Sequence, residues 1–501
     1  MTRQLITSDS SALHDRQPDC VKILREKVAS GGSKDDSGNR GEGIASRRLA
    51  LEVLIQVEKE GAYANLALAN AFKRKTIKER DRAFATALVQ GVLRHRSAID
   101  DCLAKISREP LAKMPPTLRN VLRLGIYQLE YMPDIPAPAV LDTSNNLARA
   151  TGHAGHAKYA NAVLRAHLSR QGSLAETVID IKDARQLATL HSLPNWLVER
   201  WLERWGPEET QLLLKHTQMI PDLVVRTCEL AVTPEALKSV FDSSGIKSRV
   251  GRLVSSCLII EDRGRFKGPV NKLPGYDDGF FSVQDEAAAF VSKVVDPAPG
   301  EFVVDLCAAP GGKTIHMAEL MQNKGRVIAA DSHAGRLALV RSSRQRLGLT
   351  NVEIVVADGR SLSLDQPADK VLLDVPCTGT GVINRRSDLR HHRQQPDLAA
   401  LVTLQRELLA HGATLVKPGG TLVYATCSME PEENDVNIRW FLQEHRQFVC
   451  DSLERHVPAE LARDWSIKDP DLNLASGSLQ LLPSRHDLSG FYVCKMRRID
   501  G

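Results

Sequence analysis

The sequence predicts a chain of several domains: an all-helical N-terminal part, a small α+β part and a C-terminal α/β part. Three observations predict this. The 501 residues exceed what one hydrophobic core holds, since single cores stop growing at roughly 250–300 residues. Apolar residues between 46 and 172 recur at helical spacing. Between 302 and 428, short apolar runs alternate with helical segments, the pattern of parallel strands covered by helices on both faces.

Taken in order, residues 1–43 are read as disordered. They include SGGSKDDSGNRGEG (30–43), which has nothing to bury, and leave room for a short helix near 20–28. The helical part spans 44–172. ASRRLALEVLIQVEKEG aligns Ala50, Leu54 and Val57, and ERDRAFATALVQGVLRHR aligns Phe84, Leu88 and Val92. TLRNVLRLGIYQLEYM, opened by Pro115-Pro116, aligns Leu118, Val121, Leu122, Ile126 and Leu129, and KYANAVLRAHLSR aligns Val163, Leu164 and Leu168; both the spacing and the proline start signal helices. The α+β part spans 173–290, with a helix in LPNWLVERWLERWG, strands in DLVVRTC, CLIIED and GFFSVQ, and a helix in TPEALKSVFDSSG. The last part spans 291–501. Its strands are FVVDL, RVIAAD, VEIVVAD, KVLLDV and TLVYATC, with helices near 314–322, 334–347 and 398–416.

Composition narrows the function. With 43% hydrophobic and 25% charged residues the chain reads as globular. No apolar run approaches the ~18 residues of a membrane span, and the first twenty residues lack a signal core, so a cytoplasmic protein is expected. The nine cysteines are odd in number, scattered and without a CxxC pair, which fits reduced thiols and indicates neither a disulfide framework nor a metal site. The net charge of +5 is uneven: residues 44–170 carry 20 Lys/Arg against 11 Asp/Glu. A basic module beside a mildly acidic one suggests a part that holds a polyanion and a part that works on it.

Ligands of parallel sheets sit beyond the carboxyl ends of the strands. VVDLCAAPGGKT (303–314) ends like a phosphate loop, yet the first glycine that GxxxxGK[ST] requires falls on Cys307, and Pro310 stiffens the turn. A nucleoside ligand fits better. Asp331 closes a strand 19 residues after Gly312, about the separation at which an acid bonds ribose hydroxyls. Asp358 and Asp374 end two further strands. Three acids would repel a diphosphate and suit a cationic ligand with a ribose, S-adenosyl-L-methionine. The plainer alternatives are loop capping for Asp331 and Asp358, and a solvated first-turn lysine for Lys313.

Two cysteines are delivered to the same rim: Cys377 in LLDVPCTGTGV (372–382) and Cys427 in LVYATCSMEPEEN (422–434). A thiolate beside a methyl donor suits methylation of pyrimidine C5. Attack on C6 turns the ring into an enamine that can accept a methyl group at C5, and a carboxylic acid at the N3 edge would stabilise the charge that develops. A free thiol of pKa ~8.5 is mostly protonated at neutral pH, and a helix N-terminus lowers that value; a helix is predicted to open at Pro431, just after Cys427. The plainer alternative for either cysteine is a small buried residue.

Together, LCAAPGGKT, DVPCTGTG and YATCS resemble the motifs of the RNA cytosine-C5 methyltransferases of the NOL1/NOP2/Sun family. YANAVLR (159–165) resembles a NusB-like RNA-binding domain, and the whole resembles the RsmB type, which acts on 16S ribosomal RNA. The likeness covers about 44–496, including FSVQDEAA (281–288) and a closing strand at GFYVCKM (490–496). The resemblance implies a NusB-like helical domain and a Rossmann-like class I methyltransferase domain. It further implies that S-adenosyl-L-methionine is held by Cys307, Ala308, Ala309, Pro310, Gly311, Gly312 and Lys313, with Asp331, Asp358 and Asp374. Cys427 would be the nucleophile and Cys377 would assist product release, with Asp374 beside them. The implied partner is small-subunit ribosomal RNA, with no membrane or metal, acting as a monomer. RRSDLRHHRQQ (385–395) departs from the family pattern and puts His391 or His392 where an aromatic near the RNA is usual. A non-catalytic RNA-binding factor and the same chemistry on transfer RNA are the rival readings.

Overall fold

The structure, a computed structural model, describes residues 42–75, 77–150, 153–170, 180–261 and 269–499. The short helix expected near 20–28 lies outside them. The described residues form two compact units, 42–221 with 378–400, and 222–377 with 401–499. The helices at 184–218 and residues 378–400 both group with the helical unit.

The helical unit consists of α1 (Glu42–Glu60), α2 (Ala64–Arg74), α3 (Glu79–Arg94), α4 (Arg96–Ile106), α5 (Pro116–Tyr131), α6 (Ala137–Arg149), α7 (Ala154–Ser169), α8 (Ala184–His191) and α9 (Asn195–Gln218), together with the 378–400 segment. Pro116 starts α5 as its spacing predicts. The expected faces close on one core that includes Leu54, Leu88, Val92, Val121, Leu122, Ile126, Val163 and Leu164. Leu168 is an exception, 45% exposed in the last turn of α7. The expected helix across His95 is broken there, and α2, α4, α6 and α8 were not read from the sequence.

Part of the basic charge is spent inside this unit. Arg47, Arg94 and Arg123 are buried; Arg123 grips Asp100 through two bonds of 2.7 Å, and Arg47 bonds Gln128 at 2.7 Å. Lys73, Arg74, Lys78 and Arg80 remain exposed.

The 378–400 segment completes helix ends. Asp388 accepts the N–H of Ala64 at 3.1 Å, filling the N-terminus of α2, whose own N-cap Tyr63 makes no side-chain cap bond. The buried Arg390 guanidinium donates to the carbonyls of Arg94 (2.8 Å), His191 (3.0 Å) and Thr217 (3.0 Å). It therefore serves the C-terminal turns of α3, α8 and α9 at once, where free carbonyls and the negative end of each helix dipole favour a cation. His391 bonds the carbonyl of Leu93 at 2.7 Å, and the His392 ring packs on Tyr63 with centroids 5.6 Å apart. Both rings expected near RNA are thus engaged with the unit's own residues.

In the other unit, a four-stranded antiparallel sheet runs β2-β3-β1-β4, from β1 (Leu223–Thr227), β2 (Ser248–Val250), β3 (Cys257–Ile260) and β4 (Phe281–Val283). One helix, α10 (Pro234–Ser243), capped by Thr233, covers a core around Phe241 and Phe281. Helix α11 (Glu286–Val295) leads to the main sheet, of order β10-β12-β9-β8-β5-β6-β7. Its strands β5 (Phe302–Asp305), β6 (Arg326–Asp331), β7 (Val352–Val356), β8 (Ala368–Asp374) and β9 (Val416–Thr426) are parallel. The parallel strands expected between 302 and 428 are thus present, and the closing strand expected at 490–496 is β12 (Phe491–Arg498), which with β10 (Phe448–Cys450) and β11 (Ser478–Leu481) adds an antiparallel edge. Helices α12 (Gly312–Leu320), α13 (Ala334–Arg346), α14 (Gln395–Leu415) and α15 (Asp435–Glu444) follow β5, β6, β8 and β9. The small sheet is fastened to α12 by a buried ion pair, Arg226 with Glu319.

Replacing Arg390 by Met should leave three buried carbonyls without a donor and destabilise the helical unit by about 2–4 kcal/mol. Hydrogen exchange in the last turns of α3, α8 and α9 should accelerate at least roughly tenfold; unchanged protection there would contradict the capping role.

Candidate active site

The carboxyl edge of the main sheet carries a row of acids and thiols in strand order. Register places Asp374 of β8 opposite Ala425 of β9, and Asp305 of β5 opposite Leu372 of β8 and Ala329 of β6. Asp331 ends β6, and Cys427 follows directly on the last residue of β9. Asp358 lies two residues past β7 rather than on it.

The loop from Leu306 to Gly311 turns the chain from β5 into α12. Gly311 sits at φ 111° before the helix begins, a left-handed conformation that suits glycine, and a Cβ there would come within 3.0 Å of Val340. Lys313 is neither a solvated first-turn lysine nor a free phosphate ligand: its side chain is 11% exposed and bonds Asp374 at 2.7 Å, with the Phe491 ring centroid 5.2 Å away. Burial opposes the Lys313 charge, but Asp374, then Cys427 and Asp305, hold its pKa above the ordinary value.

Asp331 is buried and accepts the N–H groups of Ala309 at 3.3 Å and His333 at 2.9 Å, which ties the Ala308-Ala309-Pro310 turn to β6. Asp358 accepts several bonds from Arg360, the shortest 2.7 Å, and these draw its pKa down to about 2. The capping alternative therefore describes part of what both acids do. Cys307 lies at the start of the loop; burial, then Asp305, pushes its thiol well above the ordinary range.

Cys377 and Cys427 meet, with sulfurs 3.2 Å apart. Cys377 is 8% exposed. Its hydrogen bond to Cys427, followed by burial, pushes its pKa well up. Cys427 is partly exposed between buried neighbours on both sides. The helix expected at Pro431 is one 3-10 turn, Pro431–Glu433, and the α-helix starts at Asp435 because Asn434 (φ −115°, ψ −109°) breaks the run. Asn434 instead secures the cysteine loop: it accepts from Thr426 at 2.7 Å and donates to the carbonyl of Ser428 at 3.0 Å.

Asp305 was missed by the sequence reading, although it ends its strand as Asp331 and Asp374 do. It is buried, accepts the Thr314 hydroxyl at 2.7 Å, and is pushed up to about 7, mainly by burial. A carboxyl held above its unfolded value makes the fold less stable as pH rises from the unfolded pKa toward 7. Asp305→Asn should therefore melt higher than the parent at pH 8, with the difference shrinking toward pH 4; a gap independent of pH would contradict the raised carboxyl.

The sequence matches the family described as 16S rRNA methyltransferase RsmB/F over residues 292–497. It also matches the NusB family over 44–169 and the ferredoxin-like domain of RsmF/B-like methyltransferases over 193–267. The probable ribosomal RNA small subunit methyltransferase B of Synechocystis sp. is 34% identical over 460 residues, 91% of this chain and 100% of that protein. That of Bacillus subtilis is 35% identical over 456 residues, 90% and 98%. Among solved structures, PH0851 superposes with TM-score 0.72 at 28% identity, covering 93% of this chain and 100% of that one. A methyltransferase homologue from Pyrococcus horikoshii gives 0.52 at 29%, covering 61% and 95%. With a NusB-like helical domain, a ferredoxin-like subdomain and a methyltransferase sheet in this order, the chain belongs to the RsmB/F family of 16S rRNA methyltransferases.

Proposed function

We propose that the protein methylates C5 of a cytosine in 16S ribosomal RNA through a covalent Cys427–C6 adduct, with S-adenosyl-L-methionine as methyl donor. The observation that carries this reading is the Cys377–Cys427 pair, sulfurs 3.2 Å apart, at the same sheet edge as the Lys313–Asp374 ion pair.

The donor set fits a cationic nucleoside. Asp331 ends β6 and Asp358 lies two residues past the neighbouring β7, and the Cys307–Gly312 turn offers backbone where β5 meets α12. These residues and Lys313 would hold S-adenosyl-L-methionine, which supplies an electrophilic methyl group when bound.

The chain's own groups do the rest. The Cys427 thiolate forms a bond to C6, and the electrons of the C5=C6 bond move through C4 toward N3, where the Lys313 ammonium, paired with Asp374, can stabilise the developing negative charge. As that charge returns, C5 would form its bond to the donated methyl carbon while the carbon's bond to the sulfonium sulfur breaks, leaving C5 with both a methyl group and its hydrogen. Once Cys427 is a neutral thioether, the charge that kept Cys377 protonated is gone. Cys377 can then lose its proton to solvent and, as thiolate, remove the hydrogen from C5. The electrons of that C–H bond re-form C5=C6 and expel Cys427. The exposed Lys73, Arg74, Lys78 and Arg80 suit phosphate contacts, which make binding depend strongly on salt. We infer that the protein does this in the cytoplasm, on RNA before the small subunit is fully assembled.

Transfer of labelled methyl groups to unmodified 16S RNA should vanish for Cys427→Ala; undiminished transfer would defeat the assignment. Cys377→Ala should accumulate an RNA–protein adduct that survives denaturation, and rapid turnover without adduct would remove Cys377 from the release step. Replacing Lys73, Arg74, Lys78 and Arg80 by Gln together should flatten the salt dependence of RNA binding by up to about 3 units of slope; an unchanged slope would place the phosphate contacts elsewhere.

A further inference from the structure

Gln405 of α14 is completely buried. Its amide nitrogen donates to the carbonyl of Pro376 at 2.9 Å and to the carboxylate of Glu433 at 2.9 Å. Its carbonyl oxygen accepts from Asn437 at 2.9 Å. Both N–H groups of the carboxamide and one of its two lone pairs are thus engaged.

These partners lead to the two cysteines. The Pro376 carbonyl belongs to the peptide bond that ends at the nitrogen of Cys377. Proline has no N–H to give, so the carbonyl is the backbone group by which Pro376 can be fixed. Glu433, also fully buried, lies in the turn after Cys427 and accepts the Tyr424 hydroxyl on its own carbonyl at 2.6 Å. Next to it stands Asn434, which holds Thr426 and Ser428 on either side of Cys427. One amide thus joins the backbone before Cys377 to the turn that supports Cys427.

We propose that Gln405 is a positioning residue that fixes Cys377 against Cys427 for the release step. The inference rests on the cytosine chemistry proposed above. Cys427 keeps its place through β9 and Asn434 when Gln405 is removed, so attack on C6 should persist. Cys377 loses the bond on the peptide preceding it, and the buried Glu433 carboxylate, whose charge already helps raise the Cys377 pKa, loses a donor. Release should suffer selectively.

The test uses the full chain, unmodified 16S RNA and labelled S-adenosyl-L-methionine, with adduct formation and product release timed separately in a single turnover. Gln405→Met conserves volume and removes the donor. It should form adduct within about threefold of the parent rate and release product about tenfold more slowly, so that adduct builds up as in Cys377→Ala. Gln405→Glu, which keeps the shape and the acceptor toward Asn437, should show the same split and covers the case in which the methionine variant misfolds. Equal slowing of both steps, or release at the parent rate, overturns the positioning role. If Cys377→Ala traps adduct and the Gln405 variants do not, this inference alone fails; if Cys377→Ala traps none, the underlying chemistry fails and takes the inference with it.

Discussion

A contact between two sulfurs, Cys377 and Cys427 at 3.2 Å, is the interaction on which the proposed chemistry depends. In a poorly hydrated site two adjacent thiolates would repel strongly, so the pair holds at least one proton under ordinary conditions. Cys377 is the more buried of the two, and in the proposed reaction it keeps that proton. Cys427, partly exposed and near enough to Lys313 to help raise that lysine's pKa, is the nucleophile of the proposal. The proposed division of labour between the cysteines thus rests on exposure and charge without any difference in their intrinsic chemistry.

The remainder of the fold serves to hold that geometry. β8 and β9 are paired neighbours, so the loops that leave their ends, bearing Cys377 and Cys427, start side by side. Lys313 reaches the same edge because Gly311 permits the turn into α12, and α12 is secured from its far side by the buried Arg226–Glu319 pair. Breaking such a pair by removing one partner is costly, since the other charge stays buried. The chain immediately after Cys377 belongs to the helical unit, where Asp388 and Arg390 occupy helix ends. The RRSDLRHHRQQ stretch therefore departs from the family pattern in residues that serve packing within this chain.

Much of the site was legible because strand ends are legible. Asp331, Asp374, Cys377 and Cys427 each follow an apolar run, and the run itself signals where the sheet stops. Asp358 was read as a strand end although β7 stops at Val356, because the sequence does not mark which of the last polar residues still pairs. Asp305 was hidden inside a motif that drew attention to its glycines. Gln405 and Arg390 carried no signal: one is a polar residue on an amphipathic helix, and the other reaches partners 173 to 296 residues away in sequence. The antiparallel edge of the main sheet was equally silent beyond β12, because short strands such as β10 (Phe448–Cys450) are too brief for a period to emerge. The helical unit's four unread helices are rich in alanine and polar residues, and their apolar stripes are narrow.

The assignment of the proton can be measured without any RNA. The protein is treated briefly with iodoacetamide at neutral pH and the labelled cysteines are identified by mass spectrometry. Cys427 should be alkylated well before Cys377, and Cys427→Ser should leave Cys377 unreactive or nearly so. Alkylation of Cys377 ahead of Cys427 would contradict the account at its base.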